Sequence, residues 1–260
     1  MISRKALLIS APAGAGSAHG INTDLEATRN FLLSPRGGAW NKDEITLLEN
    51  PSLPEVISAV RVSVADYNIT FFSGDGFADN NGNRFLILND GDFFVDTELL
   101  NDSPKQLVLV DACREAFTEE VFHFTGRPNE FEKARRMYDR WIERCEPGQL
   151  IIHSTERNTH REKSKGGLFT QKLLQVASTV PAVENKFNLK SIYAAGSETP
   201  DLMRGEGCAS SPAISYEKGN VKLPFAMAMP SDEQQVAERA QLIASLAFGL
   251  LILGIIFGKD

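Results

Sequence analysis

Short apolar runs alternate along the chain with longer segments in which apolar residues recur every three or four positions. The runs predict buried strands at 5–10, 44–48, 68–72, 106–110 and 149–152. The periodic segments predict helices at 23–33, 54–64, 130–144 and 167–178, with Asn22 as the N-cap of the first. This alternation predicts an α/β fold with a mainly parallel sheet flanked by helices.

Other segments carry weaker patterns. Residues 85–88 and 93–95 flank Asn89-Asp90-Gly91-Asp92, which predicts a β-hairpin. Residues 190–194 and 221–228 match either a further turn of helix or strands, and the pattern leaves both open.

The C-terminal segment has a different character. Residues 242–257 contain no charge, and Ser245 is their one polar side chain. As a helix this segment spans roughly 24 Å, slightly short of the ~30 Å hydrocarbon core of a bilayer. We predict one domain at 1–230 and, at 231–260, a C-terminal helix and single-pass membrane anchor that keeps the domain in the cytoplasm. A buried or oligomerisation helix is the alternative.

Charge and cysteine content limit the classes of partner and the compartment that we expect for this protein. The formal net charge is −7 and the pI about 5.3, whereas nucleic-acid binders normally present basic surfaces. No nucleic acid is therefore expected. The three cysteines are odd in number, far apart and without metal-ligand spacing, which favours a reducing compartment. We expect no metal and no cofactor.

Candidate chemistry lies in two polar segments that follow predicted strands. Residues 73–76 follow the third strand as a predicted turn, and residues 111–114 follow the fourth. Sites in open parallel sheets form at the carboxyl ends of strands, and consecutive strands are often neighbours. The two segments are therefore expected to face each other, with Cys113 as a candidate nucleophile.

These segments carry a family resemblance. The caspase and metacaspase superfamily ends its third strand with Ser-Gly-His-Gly and its fourth with Asp-x-Cys. Here 72–76 reads Phe-Ser-Gly-Asp-Gly and 108–114 reads Val-Leu-Val-Asp-Ala-Cys-Arg. Residues 166–174 read Gly-Gly-Leu-Phe-Thr-Gln-Lys-Leu-Leu, where the family has a Gly-Gly-x-Phe-Thr segment that opens a helix. Over roughly residues 5–230 the chain resembles a caspase-like, peptidase C14-type domain.

The resemblance implies roles for individual residues. Cys113 matches the nucleophile, and Asp111 matches the acidic residue that binds Arg or Lys before the scissile bond in metacaspase-like members. Asp75 occupies the position of the catalytic histidine. The neighbouring residues would line the substrate-binding cleft: Ser73, Gly74, Gly76 and Ser154.

The carboxylate of Asp75 is chemically unsuited to the activity that the resemblance implies. A carboxylate disfavours the thiolate of Cys113 and is a poor acid for the leaving amine at neutral pH. Loss of general acid–base help costs ~10²–10⁴ in rate. His153, at the carboxyl end of the fifth strand, is a candidate substitute base.

Two functions remain open. The first is a membrane-tethered cysteine endopeptidase that cleaves after Arg or Lys in a peptide or protein substrate. The second is an inactive, caspase-like sensor that binds a peptide or a small anionic activator and acts through residues 242–257 in a membrane, by analogy in microbial defence. A homo-oligomer is a candidate assembly for either function, because some caspases are activated by dimerisation.

Overall fold

The computed structural model describes residues 2–12, 18–88, 91–112, 128–155, 167–181, 188–208 and 211–228. The strands are β1 Arg4–Ala11, β2 Ile45–Glu49, β3 Tyr67–Ala78, β4 Arg84–Ile87, β5 Phe93–Val95, β6 Lys105–Asp111, β7 Gly148–His153, β8 Asn188–Ser191, β9 Ala213–Gly219 and β10 Pro224–Ala228. The helices are α1 Ala18–Leu33, α2 Leu53–Val62, α3 Pro128–Arg144, α4 Leu168–Ser178 and α5 Ile192–Gly205.

The five predicted strands and β9 form one main sheet in the order β2-β1-β3-β6-β7-β9. The first five of these strands run parallel, and β9 pairs antiparallel with β7 at the edge. Strands β4 and β5 extend the end of β3 as a small antiparallel sheet. Strands β8 and β10 pair antiparallel in a second sheet. The mainly parallel α/β prediction is confirmed.

Side chains that alternate along the central strands bury two separate cores. Leu8, Phe71 and Leu109 face α1, α3 and α4, on what we call the α1 face. Phe72 and Val110 face α2 and the small sheet, on the α2 face. Burial of each large side chain contributes roughly 1.5–3 kcal/mol. Because successive residues of a strand point to opposite faces, this alternation also fixes which polar residues share a face.

The structure corrects several local predictions. Residues 73–76 are not a turn, because β3 continues to Ala78 and exchanges its partners β1 and β6 for β4. Asn22 is not an N-cap, since α1 begins at Ala18. Residues 190–194 are divided between β8 and α5, and 221–228 contain β10. The sequence pattern missed β9 entirely, and beyond residue 194 it missed α5, because that helix contains Gly196 and Pro200.

The predicted C-terminal unit at 231–260, including the apolar segment 242–257, lies outside the described residues. Within the ranges that the structure does describe, no helix is both long enough and apolar enough to cross a bilayer.

Candidate functional site

Four strands bring a row of polar residues to the carboxyl edge of the sheet. Ser10 pairs with Ser73, and Ser73 pairs with Asp111 in the next strand. Ser154 continues the row, because its backbone N–H donates to the carbonyl of Val110. The alternation along each strand points all four side chains to the α1 face. All four residues are buried, so this row forms a polar wall inside the protein.

Asp111 is held at the start of α4. Its Oδ2 accepts a hydrogen bond of 3.1 Å from the backbone N–H of Thr170 and one of 2.6 Å from the Thr170 hydroxyl. Only 1% of the residue is exposed. A carboxylate at this position is stabilised by the unpaired N–H groups of the first helical turn.

A second carboxylate, which sequence analysis missed, reaches the same place from α1. Both side-chain oxygens of Asp24 accept from the backbone N–H of Gly167, at 2.9 and 2.7 Å. The hydroxyl of Ser73 also donates to Asp24, at 3.3 Å. One signal was available in the sequence: Asp24 stands among Ile21, Leu25 and Thr28, whose helical spacing defines a buried face.

Gly167 contacts both carboxylates. A Cβ atom at this position would lie 2.0 Å from Oδ2 of Asp111 and 2.5 Å from its Cγ. The backbone N–H of the same residue binds Asp24. Glycine is therefore required for the close approach of this backbone to Asp111, and the two carboxylates share one wall of the row. We call this unit of Asp24, Asp111 and Gly167 the acidic chamber.

Asp75 lies just beyond the carboxyl edge of the sheet, where β3 pairs with β4 at Ile87. Its neighbours approach the next strand closely: a Cβ built on Gly76 would lie 3.3 Å from the Cβ of Ala112. Gly74 lies opposite Ala11 in the β1–β3 ladder. The structure thus brings residues 74–76 beside the end of β6. Cys113, which follows Ala112, lies outside the described residues.

His153 lies on the other face of the sheet from Asp111. It pairs with Val110, whose side chain belongs to the α2 face. Its Nε2 is 2.8 Å from Oδ2 of Asp96, which also accepts a 2.7 Å hydrogen bond from the Ser215 hydroxyl. A shift of the β7–β9 register between Ile151 and Ile152 marks a bulge at Ser215. The structure therefore joins His153 to Asp96 and Ser215, and not to the acidic chamber.

Burial sets the protonation of this pair. Burial lowers the pKa of His153 more than the hydrogen bond to Asp96 raises it, and the charge of Arg84 lowers it further. Burial alone would raise the pKa of the Asp96 carboxyl, yet the hydrogen bonds from His153 and Ser215 bring it below its ordinary value. At neutral pH the pair is therefore a neutral imidazole whose Nε2–H donates to a carboxylate.

Because the pKa of His153 is lowered, the protein is expected to lose stability on acidification. Below the ordinary histidine pKa of 6.5 the unfolded state binds a proton that the folded state does not, so the free energy of unfolding falls as pH falls. His153→Gln retains an amide donor for Asp96 and removes the titration. Its pH slope below pH 6.5 should be shallower than that of the wild type, by up to about 1.4 kcal/mol per pH unit. Urea unfolding at pH 7, 6 and 5 measures this slope, and identical slopes for both proteins would contradict the assignment.

The described residues contain no group of three or more His, Cys, Asp or Glu side chains arranged to hold a metal ion. Two other cysteines lie in the described part of the chain: Cys145 is half-buried and Cys208 is buried, and neither forms a disulfide there.

Known proteins share this architecture. A comparison with curated proteins finds no match. Among solved structures, caspase-1 from Spodoptera frugiperda is similar, with a TM-score of 0.51 at 13% identity over 82% of this chain and 87% of that chain. A structure described as pro-sf-caspase-1 has a TM-score of 0.46 at 14% identity, over 89% and 94% of the two chains. At such identities the likeness concerns the fold. The family model of the caspase domain matches residues 3–215, and the chain therefore belongs to the caspase domain family, peptidase C14.

Proposed function

We propose that this domain is a cysteine endopeptidase that recognises Arg or Lys before the scissile bond and, with Asp75 in place of the family's histidine, turns over slowly. The observation that carries this proposal is the acidic chamber: two buried carboxylates, Asp24 and Asp111, lie against one glycine at the carboxyl edge of the sheet. The family membership supplies the reaction class and the sequence supplies Cys113 as the nucleophile.

The charge of the chamber explains the preference. Two carboxylates that share a buried wall repel each other, and this repulsion grows as the effective dielectric constant falls. The N–H groups around the start of α4 offset part of it. A guanidinium or ammonium group offsets more, because it carries a full charge and donates several hydrogen bonds at once. An acidic side chain in the same place would add a third negative charge, so the chamber selects against Asp.

The position of Asp75 explains the slow turnover. Gly76, the residue after Asp75, lies beside Ala112, which precedes Cys113. A general base must reach the proton that it abstracts, and the family's histidine does so from position 75. A carboxylate there neither favours a thiolate nor delivers a proton to the leaving amine at neutral pH.

One experiment tests specificity and membrane tethering together. Full-length protein is mixed with lipid vesicles, and pelleted and soluble fractions are assayed with fluorogenic peptides that end in Arg, Lys or Asp. We expect weak turnover of the Arg and Lys peptides in the pellet, none with Cys113→Ala, and transfer to the soluble fraction on deletion of 242–260. Absence of cysteine-dependent turnover would exclude the endopeptidase.

The carboxylate at position 75 also favours a second function, a sensor that binds a basic peptide without cleaving it and acts through its C-terminal segment. In the same vesicle experiment, pelleting of an Arg-ended peptide together with the protein, without hydrolysis, would favour this second function.

A further inference from the structure

A second surface adjoins the acidic chamber. Beyond Ser73, strand β3 continues into the small sheet with β4 and β5, and the pairings align two rows of side chains across the three strands. One row follows Asp75 and the other follows Phe77, and both point outward. We call the six residues the aromatic face: Asp75, Ile87, Phe93, Phe77, Phe85 and Val95.

The aromatic rings of this face pack on one another but stay open to solvent. Phe77 and Phe85 are stacked at 4.9 Å between centroids, and Phe93 meets each of them edge-on at 5.6 Å. Phe93 is 54% exposed and Phe77 36%. The opposite side of the small sheet is buried through Leu86 and Phe94. The inner side chains of the small sheet therefore belong to the core on the α2 face, while the outer rings form an exposed apolar patch. Exposed apolar patches often mark sites that bind a ligand or partner.

The path of β3 connects this face with the acidic chamber. Ser73, Asp75 and Phe77 alternate along one strand and point to the same side. The Ser73 hydroxyl contacts Asp24 in the acidic chamber. From Ser73 to Phe77 the strand rises about 13 Å, at roughly 3.3 Å per residue. An extended peptide anchored in the chamber spans this distance with about four residues, and its alternate side chains meet the two rows.

We propose that the aromatic face binds apolar side chains of the substrate among the first four residues after the scissile bond. This proposal rests on the proposed function and narrows its substrate class to a basic residue followed by apolar ones. The direction follows from chemistry: the group at position 75 stands where the leaving amine must be protonated, so the surface beyond it receives the leaving segment. Asp75 is the only charged residue on the face, and it lies at the end nearest the chamber.

The test measures binding without turnover in full-length Cys113→Ala protein. Two fluorescent peptides each carry one Arg, followed by four residues with either Phe or Ser at the second and fourth positions. Fluorescence anisotropy should give at least tenfold tighter binding of the Phe peptide, since aromatic pairs gain beyond simple burial. The combined Phe77→Ser and Phe93→Ser variant should bind both peptides equally, at the affinity of the Ser peptide.

Leu202→Ser is the matched control, because Leu202 has the same 36% exposure as Phe77 but lies on α5. It should leave both affinities unchanged. Equal binding of both peptides by otherwise unmodified Cys113→Ala protein would overturn this proposal while sparing the acidic chamber, whereas failure of both peptides to bind would overturn the proposed function as well. A change from dimer to monomer in the double variant, with unchanged peptide affinities, would assign the face to a second copy and overturn the proposal.

Discussion

Asp75→His is expected to raise cysteine-dependent cleavage after Arg by about 10²- to 10⁴-fold. An imidazole at position 75 accepts the thiol proton and returns it to the leaving amine, and its protonated form stabilises the thiolate. Residues 74–76 are held by the β1–β3 and β3–β4 ladders, so the new side chain starts from a fixed backbone. Initial rates with an Arg-ended fluorogenic peptide measure the gain.

Two variants separate the imidazole from the removal of charge. Asp75→Asn removes the negative charge and supplies no base, so its rate should remain far below that of Asp75→His. The combination of Asp75→His with Cys113→Ala should be inactive. An equal gain from Asn and His would show that repulsion alone limits the enzyme, and absence of any gain from His would contradict the assignment of position 75.

Asp24→Asn is expected to reduce the preference for Arg over citrulline, its neutral isostere, by about 10- to 100-fold. The reason is that a charged hydrogen-bonded pair contributes roughly 1.5–3 kcal/mol, and citrulline makes no such pair. Asparagine retains an oxygen that accepts from the N–H of Gly167, so the fold is preserved. Peptide affinities in the full-length Cys113→Ala background measure the preference.

Asp102→Asn is the control for a change in overall charge, because Asp102 is exposed and precedes β6. It should leave the preference for Arg unchanged. If Asp24→Asn discriminates Arg from citrulline as well as the parent protein does, the chamber does not bind the basic side chain.

Local patterns predicted the central strands because each buried strand is a short continuous apolar run. Residues 106–110, for example, became β6 with one extra residue at each end. The extension of β3 through Ala78 was not predictable in this way. Ser73, Gly74 and Gly76 have weak strand propensity, and pairing with β1, β6 and β4 holds them extended.

The site was predicted only where its residues lie in sequence motifs. Asp111 and Asp75 follow the predicted strands and were found, whereas Asp24 lies far from both along the chain and reaches Ser73 and Gly167 through the packing of α1. The hydrogen bond between His153 and Asp96 also joins segments that are distant along the chain, and no local sequence pattern predicts it. Long-range packing therefore decides which polar residues share a face.

The proposed function is tested most directly by covalent labelling of the Asp75→His protein with reactive ketone peptides that end in Arg or in Asp. The chain has three cysteines, so mapping the adduct identifies the nucleophile and the pocket in one measurement. Burial raises the pKa of the Cys145 thiol and Cys208 is buried, so neither is expected to compete. The proposed function predicts an adduct on Cys113 with the Arg reagent and none with the Asp reagent. Labelling of another cysteine, or faster labelling by the Asp reagent, would contradict it.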